Sequence, residues 1–184
     1  MYCKKLSNIL HNNDSKLYGI SLKDIQKLDY FIKNKTTFKE RDNINVSRFS
    51  IEMDIDLNKA IRLFMIGVDE YLFSLVMYVE CDNPHCDETY KIEDLYSQLE
   101  CDCGKNIKIA KENVDIYFNL LETPTECNLD NQENISVFGL IMGKPKPSKI
   151  KLSDIEKVVG NENIEKAINK SSMLDRRLLK HLHL

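Results

Sequence analysis

The chain has 184 residues, enough for one large domain or two small ones, and its 42% hydrophobic and 30% charged content is ordinary for a folded protein. Six glycines and four prolines leave little room for long flexible linkers. The net charge of −3 is unevenly spread, with basic ends and an acidic middle, and residues 81–111 carry four Lys/Arg against seven Asp/Glu. A surface that grips phosphate needs the opposite sign there, so nucleic acid is disfavoured as the main partner.

No secretory signal core opens the sequence, and no apolar run approaches the roughly 20 residues that span a bilayer. The expected location is therefore the cytoplasm, with no membrane contact. There thiols stay reduced, and cysteine pairs favour metal over disulfide.

Residues 1–20 are polar and weakly patterned, and predict a short lead-in helix. Ser21-Leu-Lys-Asp24 has the form of a capping box. Leu22, Ile25, Leu28, Phe31 and Ile32 follow at helical spacing to about Asn34. Residues 35–44 are charged and read as a loop. Asn45 is placed to cap a short helix over Val46–Met53, and Asp56 to cap another. The latter carries Leu57, Ile61, Leu63, Phe64 and Ile66 and is expected to stop at Gly67. Val68–Glu70 is expected to turn, and Tyr71–Glu80, rich in aromatic and β-branched residues, reads as a strand. Val114–Leu121 is the best candidate for its returning partner.

Between those strands lie four of the six cysteines, in two close pairs, Cys81/Cys86 and Cys101/Cys103, separated by fourteen residues. Two turns facing each other can each give two thiolates to a tetrahedral zinc ion, the pattern of a zinc ribbon. Asn83-Pro84 tightens the first turn. The second has a one-residue spacer, and alternate residues of an extended chain point to opposite faces. Both thiols reach one metal only if the chain bends, which Gly104 permits. His85 could replace Cys86 as a ligand, although a surface position suits it better. The expected metal set is Cys81, Cys86, Cys101 and Cys103, holding structural Zn2+ with no open coordination position. Cys3 and Cys127 lack near neighbours and are expected as free thiols.

After Leu121 the chain is acidic and loop-like, Ile135–Met142 reads as a further strand, and Gly143–Ser148 is a stiff basic turn. Two capping-box forms follow, Ser153–Glu156 and Ser172–Asp175. The last helix would place Leu174, Leu178, Leu179 and Leu182 on one face, a stripe suited either to packing or to docking a partner. His181 and His183 read as a solvated tail. No phosphate loop, serine elbow, His-Glu helix motif or deaminase motif is present, so no enzyme activity and no catalytic or cofactor-binding residue is expected.

The order of elements over residues 46–80 resembles a winged helix. The fold class expected is α+β: a winged-helix-like core with an inserted zinc ribbon and a C-terminal helical segment. The divisions are residues 1–80 for the N-terminal helices and winged helix, 81–111 for the ribbon, 112–143 for returning strands and acidic loop, and 144–184 for the C-terminal segment. Asn58, Lys59 and Arg62 are the residues a recognition helix over Asp56–Ile66 would offer to DNA, but Asp54, Asp56, Asp69 and Glu70 surround them.

Over residues 20–121 the chain also resembles, in architecture, the small accessory (middle) subunits of bacterial ABC three-component systems, including Lamassu-type antiphage defence complexes. That resemblance implies an adaptor subunit that binds a larger partner, such as an SMC-like ATPase or an effector nuclease, with weak direct nucleic-acid contact. It carries over no site beyond the cysteines. The alternative is a DNA-binding winged-helix transcription regulator. The same domain order resembles archaeal and eukaryotic basal transcription factors that join a winged helix to a zinc ribbon.

Overall fold

A computed structural model describes residues 1–95, 100–129 and 145–171. Among the described residues it is a mixed α/β structure of seven α-helices and a small three-stranded antiparallel sheet. The expected strand over Ile135–Met142 and the helix start at Ser172, with its leucines and the histidines that follow, lie outside the described residues.

Helices α1 (Tyr2–His11) and α2 (Asn13–Leu17) open the chain. Tyr2, Leu6 and Ile9 recur at spacings of four and three, and all three are fully buried, so this polar stretch conceals a complete packing face. The Tyr2 hydroxyl donates to the buried Asp29 carboxylate at 2.9 Å, which also pairs with Lys33. Burial and that carboxylate push the Tyr2 hydroxyl pKa far upward.

Helix α3 (Leu22–Asn34) begins at the expected capping box. Asp24 accepts from the Ser21 N–H at 2.8 Å, and Ser21 Oγ accepts from the Asp24 N–H. Helix α4 (Val46–Met53) starts at Asn45, whose side chain accepts from the Ser47 and Arg48 N–H groups. Asp56 caps α5 (Leu57–Asp69) by accepting the Lys59 N–H at 2.9 Å.

Gly67 does not end α5; the helix runs two residues further and includes Val68 and Asp69, expected in a turn. The glycine is there for packing. A Cβ at position 67 would lie 2.5 Å from Cδ2 of Phe73, so only a hydrogen lets that ring close on the helix. The reversal comes instead at Tyr71, a non-glycine residue at φ 57°.

Strand β1 (Phe73–Glu80) is central. It pairs antiparallel with β2 (Thr89–Lys91) on one side and β3 (Val114–Leu120) on the other, in register from Phe73 opposite Leu120 to Val79 opposite Val114. The return of 114–121 against 71–80 is thus as the sequence suggests. Alternation puts Phe73, Leu75, Met77 and Val79 in the core. Phe31, Phe49, Phe64 and Phe118 continue it, with successive ring centroids about 5 Å apart.

Beyond residue 145 the chain lies against this body. Ser148 N–H donates to Ser47 Oγ, Ile116 N–H to the Ile150 carbonyl, and Asp115, buried at the start of β3, pairs with Lys149 and Lys151. Helix α6 (Leu152–Val159) begins one residue before Ser153, which therefore is not its cap. The Asp154 carboxylate instead accepts the Lys151 N–H at 3.4 Å. Gly160, at φ 83°, separates α6 from α7 (Asn161–Ser171). Ser171 Oγ accepts the Leu75 N–H on the side of β1 that β2 leaves open. Among the described residues no helix is long and apolar enough to cross a membrane.

Candidate metal centre

The cysteine-bearing segment leaves the body at the end of β1 and returns at the start of β3. The first turn closes a hairpin, with the Cys81 N–H donating to the Glu88 carbonyl at 3.0 Å and Glu80 opposite Thr89. Inside it the Cys86 N–H donates to the Asn83 carbonyl at 2.9 Å, and Asn83 Oδ1 accepts the His85 N–H. His85 is exposed and is absent from the cluster; the cysteine at 86 is the ligand-competent residue of this turn.

The second turn supplies the bend that the one-residue spacer requires. The Gly104 N–H donates to the Cys101 carbonyl at 2.7 Å, and the Cys101 N–H to the Lys105 carbonyl at 2.8 Å. Gly104 has φ 80°, a left-handed conformation that costs glycine little. The tight turn cancels the alternation of an extended strand and brings Cys101 and Cys103 to one centre.

All four sulfurs lie within 4.8 Å of one another, with Cys81–Cys103 at 3.6 Å and Cys86–Cys101 at 3.5 Å. A tetrahedron of thiolates, each about 2.3 Å from a metal, has edges of about 3.8 Å. The donor set and its spacing fit a tetrahedral ion, and the separations far exceed a disulfide bond.

Groups around the sulfurs favour the anionic ligands that a metal needs. Backbone N–H groups of Asn83, Glu88 and Lys105 face Cys81, Cys86 and Cys103. Asn83 Nδ2 donates to Cys103 Sγ at 3.5 Å, and the Tyr90 hydroxyl donates to Cys101 Sγ at 3.3 Å while accepting the Asp102 N–H. The Asn83 amide, then the Lys105 N–H, draw the Cys103 thiol down to about 6. At Cys86 the Glu88 N–H acts in the same direction, but sharing a proton with Cys101, burial and the other two thiols push it up to about 12. Without a cation, four crowded thiols do not all ionise. Asn83 and Tyr90 were not legible as supporting groups: Asn83 reads as a turn former, and nothing marks Tyr90.

The centre is fused to the body. Ile92, Leu95, Ile107 and Ile109 are buried in the same apolar cluster as Val79, Val114 and Ile116. Glu93 and Asp94 sit on a short 3-10 turn, where Lys91 pairs with Glu93.

The remaining cysteines correct the expectation of free thiols. Cys3 and Cys127 are joined as a disulfide with Cα atoms 5.4 Å apart. They meet because β3 returns the chain to the N-terminus: the Leu121 N–H donates to the Leu72 carbonyl, and Glu122 pairs with Lys5 at 2.6 Å. A separation of 124 residues hides this proximity from any local reading.

Helix α5, which the sequence offers as a candidate recognition helix, is enclosed. Ala60, Ile61 and Leu63 to Val68 are buried. Lys59 pairs with Asp24 at 2.7 Å, the Arg62 guanidinium lies over the Tyr18 ring at 4.5 Å, and Asn58 alone is exposed. Comparison with protein-family models, curated proteins and solved structures returns no match to this chain.

Proposed function

We propose that the chain is a non-catalytic adaptor subunit of a larger protein assembly, braced by a structural zinc ion at Cys81, Cys86, Cys101 and Cys103. The enclosure of α5 carries this reading. A helix that reads DNA lays several polar side chains against base edges, flanked by phosphate contacts. Here Lys59 and Arg62 are engaged within the protein, Asn58 stands alone, and acidic residues dominate the metal-bearing segment. That surface suits protein better than phosphate.

Four cysteine ligands fill a tetrahedron, which favours a structural ion over a catalytic one. Thiolate sites of this geometry take zinc or iron, and zinc is the ion proposed. It would hold the two turns together at the end of the sheet. Cys101 and Cys81 are buried and Cys103 is exposed, so one edge of the centre faces outward. The architectural resemblance to accessory subunits of ABC three-component defence systems makes an SMC-like ATPase, with its effector nuclease, the partner class proposed.

The test is co-expression of the full chain with the proteins encoded on either side of its gene, followed by size-exclusion chromatography at low and high salt, with metal content read by native mass spectrometry. A salt-resistant complex with one zinc per chain is expected, together with DNA binding that salt abolishes. A free protein holding a defined DNA site at high salt would establish the regulator instead.

A further inference from the structure

The Cys3–Cys127 pair lies outside the metal centre and has no part in the proposed adaptor role. It ties two elements of very different anchorage. Helix α1 is held by Tyr2, Leu6 and Ile9, each fully buried. The strap at residues 121–129 has neither helix nor strand. Leu121 and Glu126 are exposed. Among the described residues its ties besides the disulfide are the Leu121 N–H to the Leu72 carbonyl, the Lys5–Glu122 ion pair, a 3.8 Å approach of Glu126 to Lys33, contacts of Thr125 Oγ1 and the Glu126 carbonyl with Cys3 Sγ at 3.3 Å, and a partly buried Leu129. Cys127 is buried, whereas Cys3 is half-buried and is the more accessible of the two.

We infer that Cys3 and Cys127 form a reversible thiol–disulfide latch that fixes the 121–129 strap onto α1, and that small-molecule thiols set its state. With the protein reduced, the Cys3 thiolate attacks a small disulfide such as oxidised glutathione, forming a mixed disulfide and releasing one glutathione thiolate. The Cys127 thiolate then attacks the Cys3 sulfur, closing the protein disulfide and releasing the second. Two protein thiols are oxidised, one glutathione disulfide is reduced to two thiols, and the reverse sequence opens the latch.

Linkage gives the latch its mechanical consequence. The two sulfurs are far apart in an unfolded chain and adjacent in the fold, so docking of the strap raises the tendency of the bond to form. By reciprocity, the bond strengthens docking by the same factor. Reduction must therefore loosen whichever partner is more weakly held. That is the strap, with one buried cysteine and one partly buried leucine against the three fully buried side chains of α1.

Glutamate-specific proteolysis of the full-length, metal-loaded protein tests this, because Glu122 and Glu126 lie within the strap. The protein is equilibrated in glutathione buffers from fully oxidised to fully reduced, alkylated to count thiols by mass, and digested. The pair is expected to convert within that range, and cleavage after Glu122 and Glu126 to rise about tenfold on reduction, within the usual range for coupled sites. Zinc content should not change, which separates the latch from the metal centre. Cys3→Ser and Cys127→Ser should each be cleaved at the fast rate in every buffer, with helical circular dichroism confirming that they fold. A pair that stays oxidised in excess reduced glutathione, or never closes in excess oxidised glutathione, would overturn the latch. So would strap cleavage that is indifferent to its state.

Discussion

Cys81, Cys86, Cys101 and Cys103 meet across two tight turns within 23 residues, whereas Cys3 and Cys127 meet only after every element from α1 to β3 has folded between them. In the first site the backbone does local work. N–H groups face the sulfurs, Tyr90 and Asn83 add side-chain donors, and Gly104 bends the chain where the spacer is short. At the second, Thr125 Oγ1 lies 3.3 Å from Cys3 Sγ, but the geometry is inherited from the packing of α1 and the return of β3. A cluster built from local turns needs a cation to be stable, because four thiolates repel one another. A pair built from tertiary packing needs only an oxidant.

The largest effect that would sharpen this contrast is loss of the metal. Cys101→Ser replaces a buried ligand with a hydroxyl that zinc binds poorly. Structural zinc returns about 10–16 kcal/mol to small folds at neutral pH. The variant should lose its zinc equivalent, and hydrogen exchange should show residues 81–95 and 100–111 opening while α3 to α5 stay protected. A metal-free protein with an unchanged, protected cysteine segment would erase the distinction between the two sites.

Next in size is the disulfide. Cross-linking residues 124 apart removes conformational freedom from the unfolded chain, worth about 3–5 kcal/mol in the chain-entropy account. The Cys3→Ser/Cys127→Ser double variant should unfold at lower denaturant with a steeper dependence on its concentration, since its unfolded state is more open. Its zinc content should be unaffected. A loss of both stability and zinc would mean that the two sites are one cooperative unit.

Tyr90→Phe removes only the hydroxyl that donates to Cys101 and receives the Asp102 N–H. Partners of metal ligands typically contribute 10–100-fold in affinity. Competition with a chromogenic chelator should show weaker zinc retention by about that factor, with the fold intact. An equal loss in the Cys3→Ser/Cys127→Ser background is expected if the sites are independent.

The same distinction between local and long-range contacts governs what could be read in advance. Ser21, Asn45 and Asp56 announce their helices because a cap acts over three residues. The two cysteine turns announce a metal-competent cluster for the same reason. Gly67 misled because a glycine near the end of an apolar run usually ends a helix, and the Phe73 ring, folded back from the following strand, explains it. Residues 1–11 looked unpatterned because Tyr2, Leu6 and Ile9 are diluted by eight others. The fate of the Lys149–Lys151 stretch, drawn onto the buried Asp115 carboxylate, likewise depends on a strand more than thirty residues earlier. Enclosure of α5 depends on α1, α4, α6, α7 and β1 together, and the sequence of the helix itself does not reveal which of them cover it.

Acid provides the finest separation. Falling pH protonates thiolates and expels zinc, whereas the disulfide carries no titratable proton. The body has its own acid limit at the start of α3. Burial of Asp24 opposes its charge, but the Lys59 ammonium and the Ser21 N–H and hydroxyl outweigh that and hold its carboxyl below the ordinary value of 3.8. A carboxylate whose folded pKa is depressed stabilises the fold above its unfolded pKa. That contribution is fully present at neutral pH, declines once the pH drops below about 3.8, and disappears as the pH falls through the folded value. Asp24→Asn should cost about 1 kcal/mol at pH 7, the usual net worth of one hydrogen bond, here that from the Lys59 ammonium. Its deficit should shrink as the pH is lowered below that point. Zinc release should come at higher pH than this in both proteins, leaving a window in which the metal is gone while α3 keeps its cap and the disulfide stays closed. If Asp24→Asn and the wild type lose stability in parallel down to the lowest pH, the α3 cap is not an ionic one.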